Sequence, residues 1–295
     1  VPGGEETIRT SPPGARAREI NPDPASSLQS PRPATTMRPE TNMASQEVFE
    51  RVYRGRQSAF RHLAYMRMAK VLLTLQVLDR AGVSLAGKAV FDYGFGAGTF
   101  FRHCPASARL VGVELDPVNV ADVQRNLQQR GFPSVRLEAI QIEQWERHPL
   151  LQEQYDVFLC SHVLEHLPDP AAFLSRIRRC LKPEGVFVGL VPLNERRANP
   201  HHVQICDRAK IQGWLEQAGL RPRCYMESDP WTYWSQPLFA YDTGWRHKAA
   251  QVLSLALGVP STLLGHRAWQ ALSPWCVRLT GSKPTQAAFV ANRVD

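Results

Sequence analysis

The sequence predicts an α/β fold, a mostly parallel sheet with helices on both faces, and three observations carry that prediction. Apolar strand-like runs alternate with helical segments from residue 88 onward, the pattern of βαβ units. The first run, Ala89-Val90-Phe91, ends in Asp92 and is followed by Gly94, Gly96 and Gly98, a loop whose backbone N–H groups a ligand can approach closely. At 43% hydrophobic, 295 residues can bury a full core, which excludes disorder of the whole chain.

Each element follows in order. Residues 1–42 hold eight prolines among Gly, Ser and Thr with almost no apolar periodicity, and they read as a disordered tail. Beginning at Val1, the sequence reads as a fragment or an over-extended reading frame whose natural start is Met37 or Met43. Residues 43–295 form one domain, opened by a helical cap at 43–87 in which apolar residues recur at three- and four-residue steps from 45 to 81. Strands are expected at 88–92, 110–114, 135–139, 155–160 and 185–191, then at 221–226 and 286–292. Helices are expected at 98–104, 117–130, 171–181 and 207–218; Asp169-Pro170 supplies a cap and a first-turn proline for the third. The stretch 230–283 holds five of the seven tryptophans and two helical pieces, 246–257 and 262–278, parted at Pro260 and too short to span a bilayer.

Composition narrows the partners. The net charge of +8 belongs to the folded body, because five Arg offset five acids in the first 42 residues. No block of like charges appears, so a solvated basic surface is favoured over a nucleic-acid partner, while peripheral membrane contact through 246–278 stays open. Six scattered cysteines without a C-x-x-C pair suit a reduced, cytoplasmic protein. No secretory h-region is present.

The glycine loop departs from the Gly-x-Gly-x-x-Gly spacing of hydride-transfer folds. Glu114, at the end of the second strand and 22 residues after Asp92, is an acid suited to a ribose cis-diol; Asp116 fits a helix cap better. Together Asp92-x-Gly94-x-Gly96-x-Gly98, Glu114, Tyr155-Asp156-Val157, the turn Val163 to Pro170 and Leu181-Lys182-Pro183-Glu184-Gly185 resemble the class I S-adenosylmethionine-dependent methyltransferases over about 45–228. The resemblance implies a Rossmann-like seven-stranded sheet with an antiparallel last strand, and S-adenosylmethionine as cofactor. It implies that Gly94, Gly96 and Gly98 pass under the methionine and ribose, Asp92 receives the amino group and Glu114 with Leu115 holds the ribose. Gln141 and Ile142 stand where an adenine-contacting acid is usual, and Ser161 where backbone meets cofactor.

His162-Val163-Leu164-Glu165-His166 also spells H-x-x-E-H, but in a strand-to-helix turn rather than on one helix face, so hydrolytic zinc is disfavoured. The turn is similar to that of quinone-pathway O-methyltransferases, which implies that His162, Glu165 and His166 could hold a divalent ion; His162 in place of an acid weighs against it. Methyl transfer needs a base only where the acceptor loses a proton, and His166 and His202 are the candidates, with His162 and His201 nearby. The expected acceptor is a small molecule, an oxygen of a phenolic or quinone-like metabolite, with the Trp-rich segment as a lid or as a satellite core. The competing readings are an RNA or protein methyltransferase and an inactive cofactor-binding partner protein. Oligomeric state is not legible.

Overall fold

The computed structural model of the protein describes residues 64–141, 147–196, 202–234, 236 and 245–294. The tail, the cap up to residue 63, Ile142 and His201 lie outside these described residues. Seven strands form one sheet in the order β3-β2-β1-β4-β5-β7-β6. They are β1 Ala89–Tyr93, β2 Arg109–Glu114, β3 Val135–Ala139, β4 Tyr155–Ser161, β5 Leu181–Pro192, β6 Leu220–Ser228 and β7 Gln286–Arg293. Neighbours from β3 to β5 pair in parallel, whereas β7 runs antiparallel to both β5 and β6.

The helices are α1 Tyr65–Arg80, α2 Pro117–Gln129, α3 Pro170–Arg179, α4 Arg208–Gln217 and α5 Trp245–Thr280. Strand alternation separates two cores, one on each face. Phe91 and Phe158 stack at 4.6 Å between their centroids and face Phe173, Ile177 and Trp214 of α3 and α4. Val90, Leu110 and Val188 face Val71, Val77 and Leu127 of α1 and α2. Three carboxylates start helices, as their positions before them predict: Asp116 accepts from Val118 N–H, Asp169 from Ala172 N–H and Asp207 from Lys210 N–H. Each such cap stabilises its helix by about 1 kcal/mol.

Two expectations fail for identifiable reasons. The helix expected at 98–104 is a single 3-10 turn at Phe101–His103. Cys104 precedes Pro105, whose ring disfavours helical backbone before it, and Cys104 is extended at ψ 150°. The break expected at Pro260 lies instead at Gly265, whose φ of 74° and ψ of 170° end one helical run and start another.

Candidate cofactor and acceptor site

The sheet order makes β1 and β4 neighbours whose chain connections leave in opposite directions, the crevice where open α/β sheets bind ligands. Their carboxyl ends are level, with Tyr93 opposite Cys160, so the glycine loop after β1 faces the Ser161-His162 turn after β4. Gly94, Gly96 and Gly98 all have positive φ, and a Cβ at Gly98 would lie 2.4 Å from Val123 Cγ1 of α2. A Cβ at Gly96 would meet nothing within 4 Å, so this side of the loop is open.

Glu114 is buried and turned back on the loop: its Oε2 accepts from Gly96 N–H at 2.6 Å and its Oε1 from Leu115 N–H at 2.9 Å. Burial raises its pKa, and those backbone donors pull it the other way. A carboxylate offers about four acceptor sites, and the backbone N–H groups of Gly96, Leu115 and Asp116 leave capacity for a diol donor. Asp92 is also buried, its Oδ1 has no hydrogen-bond partner, and burial together with the Glu114 charge raises its pKa well above the ordinary value. Ser161 Oγ is another buried polar atom without a partner. An orphaned carboxylate oxygen, an open glycine backbone and a two-oxygen acceptor fit the ammonium, methionine and ribose parts of S-adenosylmethionine. Leu115 is half-buried beside Glu114, and Gln141 is exposed at the end of β3.

On the acceptor side, a 3-10 turn at Leu164–His166 follows β4. His162, in left-handed backbone at φ 57°, places Nδ1 3.3 Å from Glu165 Oε1. Burial alone would raise the wholly buried Glu165, but His162 and His166 outweigh it and hold the carboxyl below its usual range. Burial and Lys70 lower the basicity of His162. The Glu165 carbonyl accepts from Val203 and Gln204 N–H at 2.8 and 2.9 Å, which pins the loop after β5 to this turn. His202 is thereby set against His166, with ring centroids 4.8 Å apart, and its Nδ1 lies 2.7 Å from Glu195 Oε2.

The structure therefore brings the two candidate bases together. It also regroups the residues considered for a metal: ligand atoms of Glu165, His166 and His202 lie within 4.8 Å of one another, so His202 stands in the place expected for His162. His162 keeps its Nδ1 on Glu165 and sets its Nε2 3.4 Å from Gln286 Oε1 on β7.

Two features were not foreseen from sequence. Lys70 of α1 is drawn into the interior near Glu165 and Asp92, and burial lowers its pKa to about 8. Asp229, in left-handed backbone after β6, accepts from Tyr65 Oη at 2.7 Å, Thr232 Oγ1 at 2.9 Å, and Thr285 Oγ1 and Gln286 Nε2 at 3.0 Å. Only the helical spacing that puts Lys70 one turn after Arg67 hinted at the first. The tryptophans divide: Trp231 and Trp269 pack with Tyr65, Met68 and Leu72 in a satellite core, whereas Trp234, Trp245 and Trp275 are exposed. Tyr65 of α1 belongs to that core and is almost fully buried.

A sequence profile described as "Methyltransferase domain" matches residues 91–189. The ubiquinone biosynthesis O-methyltransferase of Acinetobacter baumannii (strain AYE) is 30% identical over 129 residues, 42% of this chain and 52% of that protein. The protein of the same name from Pseudomonas savastanoi pv. phaseolicola is 33% identical over 116 residues, 39% and 49% of the two chains. This chain thus spans about half the length of the curated relatives it matches. Among solved structures, coclaurine N-methyltransferase superposes with a TM-score of 0.55 at 11% identity over 89% of this chain and 90% of that one. The cyclase SpnF superposes at 0.54 and 18% identity over 86% and 95%. These two show the fold. Strand order, the glycine loop answered by Glu114, and the domain match agree: residues 91–189 are a methyltransferase domain, and the chain's fold is that of the class I S-adenosylmethionine-dependent methyltransferases.

Proposed function

We propose that this protein transfers the methyl group of S-adenosylmethionine to a small-molecule acceptor, an oxygen of a phenolic or quinone-like compound, with His202 as the base. The observation that carries the reading is the Glu195–His202 pair beside His166 at the carboxyl end of β4. When bound, S-adenosylmethionine supplies an electrophilic methyl on a sulfonium, which leaves as a thioether.

The chain's own residues supply the rest. Asp92 and Glu114 anchor the two ends of the methionine and ribose and so fix the direction from which the acceptor approaches. Glu195 accepts the Nδ1–H of His202 and orients its ring, which leaves the basic lone pair on Nε2. A hydroxyl set at that nitrogen gives up its proton there, and its oxygen becomes the stronger nucleophile an in-line displacement needs. An amine acceptor already in its free-base form would need no such pair. The partial similarity to ubiquinone biosynthesis O-methyltransferases points to the same acceptor chemistry.

His202→Ala is expected to lower turnover about 100-fold or more, with cofactor affinity by calorimetry unchanged. Paired measurements of calorimetric affinity and S-adenosylhomocysteine release on phenols test this. Equal rates in the two proteins would remove His202 as the base. Release with amines, fatty acids or bulk RNA but with no phenol would remove the acceptor class.

A further inference from the structure

α5 is built inside out. Its buried side carries small residues, Ala250, Ser254, Gly258 and Ser261, at steps of four, four and three, and Ser254 Oγ accepts from Met66 N–H of α1 at 3.3 Å. On the opposite side stand Trp245, Val252, Val259 and Leu263, at steps of seven, seven and four, with Trp245 72% and Leu263 82% exposed. After the Gly265 break Trp269 anchors the buried side, while Leu272, Trp275 and Leu279 stand exposed at steps of three and four, the last 80% exposed. A helix on a water-facing surface presents the reverse order, large apolar residues in and polar residues out. Exposed large apolar residues in this number mark an interaction site.

Charge selects the occupant. From 243 to 294 the sequence has no Asp or Glu, while it has Arg246, Lys248, Arg267, Arg278, Lys283 and Arg293. Asp79 of α1 takes Arg267 at 2.8 Å, and Lys248, Arg278 and Lys283 are exposed around the apolar face. A second copy would set these cations against their own kind. An anionic lipid surface answers both the cations and the apolar face, and tryptophan favours the headgroup boundary. The chain would lie on such a surface, because no described helix is long and apolar enough to cross a membrane.

We propose that the outer face of α5 docks on an anionic bilayer surface, with Trp245, Leu263, Trp275 and Leu279 entering the headgroup region. The test is co-sedimentation of the full chain with phosphatidylglycerol–phosphatidylcholine vesicles and with phosphatidylcholine alone. The expected result is binding to the anionic vesicles at least about tenfold tighter, weakened as salt rises from about 0.05 to about 0.5 M, with a blue shift of tryptophan emission. The double variant Leu263→Glu, Leu279→Glu should lose at least about tenfold in vesicle affinity while melting as the parent does, since both side chains are exposed. Binding indifferent to lipid charge, or unchanged in the variant, would overturn the proposal. So would a vesicle-free dimer that the same substitutions dissociate, since that would assign the face to a second copy. Methyl transfer to a water-soluble acceptor is expected to be equal in parent and variant, so failure of vesicle binding leaves the proposed chemistry standing.

Discussion

At the scale of the residue, Glu114 carries one role proposed from its position and a second that only the structure shows. Its position at the end of β2 marks it as a ribose acceptor, but its second job, holding the glycine loop through Gly96 N–H, is a contact across 18 residues. Glu114→Gln separates the two carboxylate oxygens chemically: one remains an acceptor and the other becomes an amide NH2 facing a backbone N–H. Either Gly96 or Leu115 then loses its acceptor. A hydrogen bond to a charged group contributes roughly 1.5–3 kcal/mol, so cofactor affinity by calorimetry should fall about tenfold or more. Unchanged affinity would show that the loop holds its shape without Glu114. Asp92 is the complement, a buried oxygen left without a hydrogen bond and raised in pKa, which a cationic ligand group would relieve.

At the scale of the element, Asp229 ties together α1, α5, β6 and β7. Trp269 Nε1–H of α5 donates to Tyr65 Oη at 2.9 Å, Tyr65 donates to Asp229, and Gln286 of β7 bridges Asp229 to His162 at the site. Burial raises the Asp229 carboxyl from 3.8 to about 6, against the pull of its Tyr65, Thr232, Thr285 and Gln286 donors. Between those values the folded chain holds a proton that the unfolded chain has released. The stability this group contributes is therefore fully present below its unfolded pKa and is lost as pH rises through its folded pKa. The displacement corresponds to about 3 kcal/mol. Asp229→Asn removes the titration, so urea unfolding should show the parent losing stability relative to the variant by roughly that amount from pH 4 to pH 7. Parallel stability curves would mean that Asp229 ionises in the fold as it does in water.

At the scale of the whole molecule, what sequence makes legible is what local chemistry dictates. Alternation of apolar runs gave β1 to β4 to within a residue, whereas β5 starts at Leu181, four residues before the expected 185; Asp116, Asp169 and Asp207 started helices because a carboxylate before a helix satisfies its free N–H groups. Where a single local rule met a competing one, the expectation failed: Pro105 stopped a helix that apolar spacing favoured, and the break in α5 went to Gly265 rather than Pro260. The proposed cofactor half of the site was legible because the glycines of the loop and the carboxylates Asp92 and Glu114 sit at the ends of neighbouring strands, β1 and β2. The acceptor half was less so, because His202 reaches His166 only through the Glu165 carbonyl, and Lys70 and Asp229 draw their meaning from burial among elements remote in sequence. The same division runs through function: the domain match carries the cofactor loop, while the proposed base His202 and its partner Glu195 lie outside 91–189. The most direct test of the account is transfer of a labelled methyl group from S-adenosylmethionine to a panel of phenols, amines and fatty acids, with the labelled product identified by mass spectrometry. The account predicts label on an aryl oxygen and about 100-fold less of it with His202→Ala. Label on nitrogen or carbon, or none on any acceptor while the cofactor still binds, would contradict it.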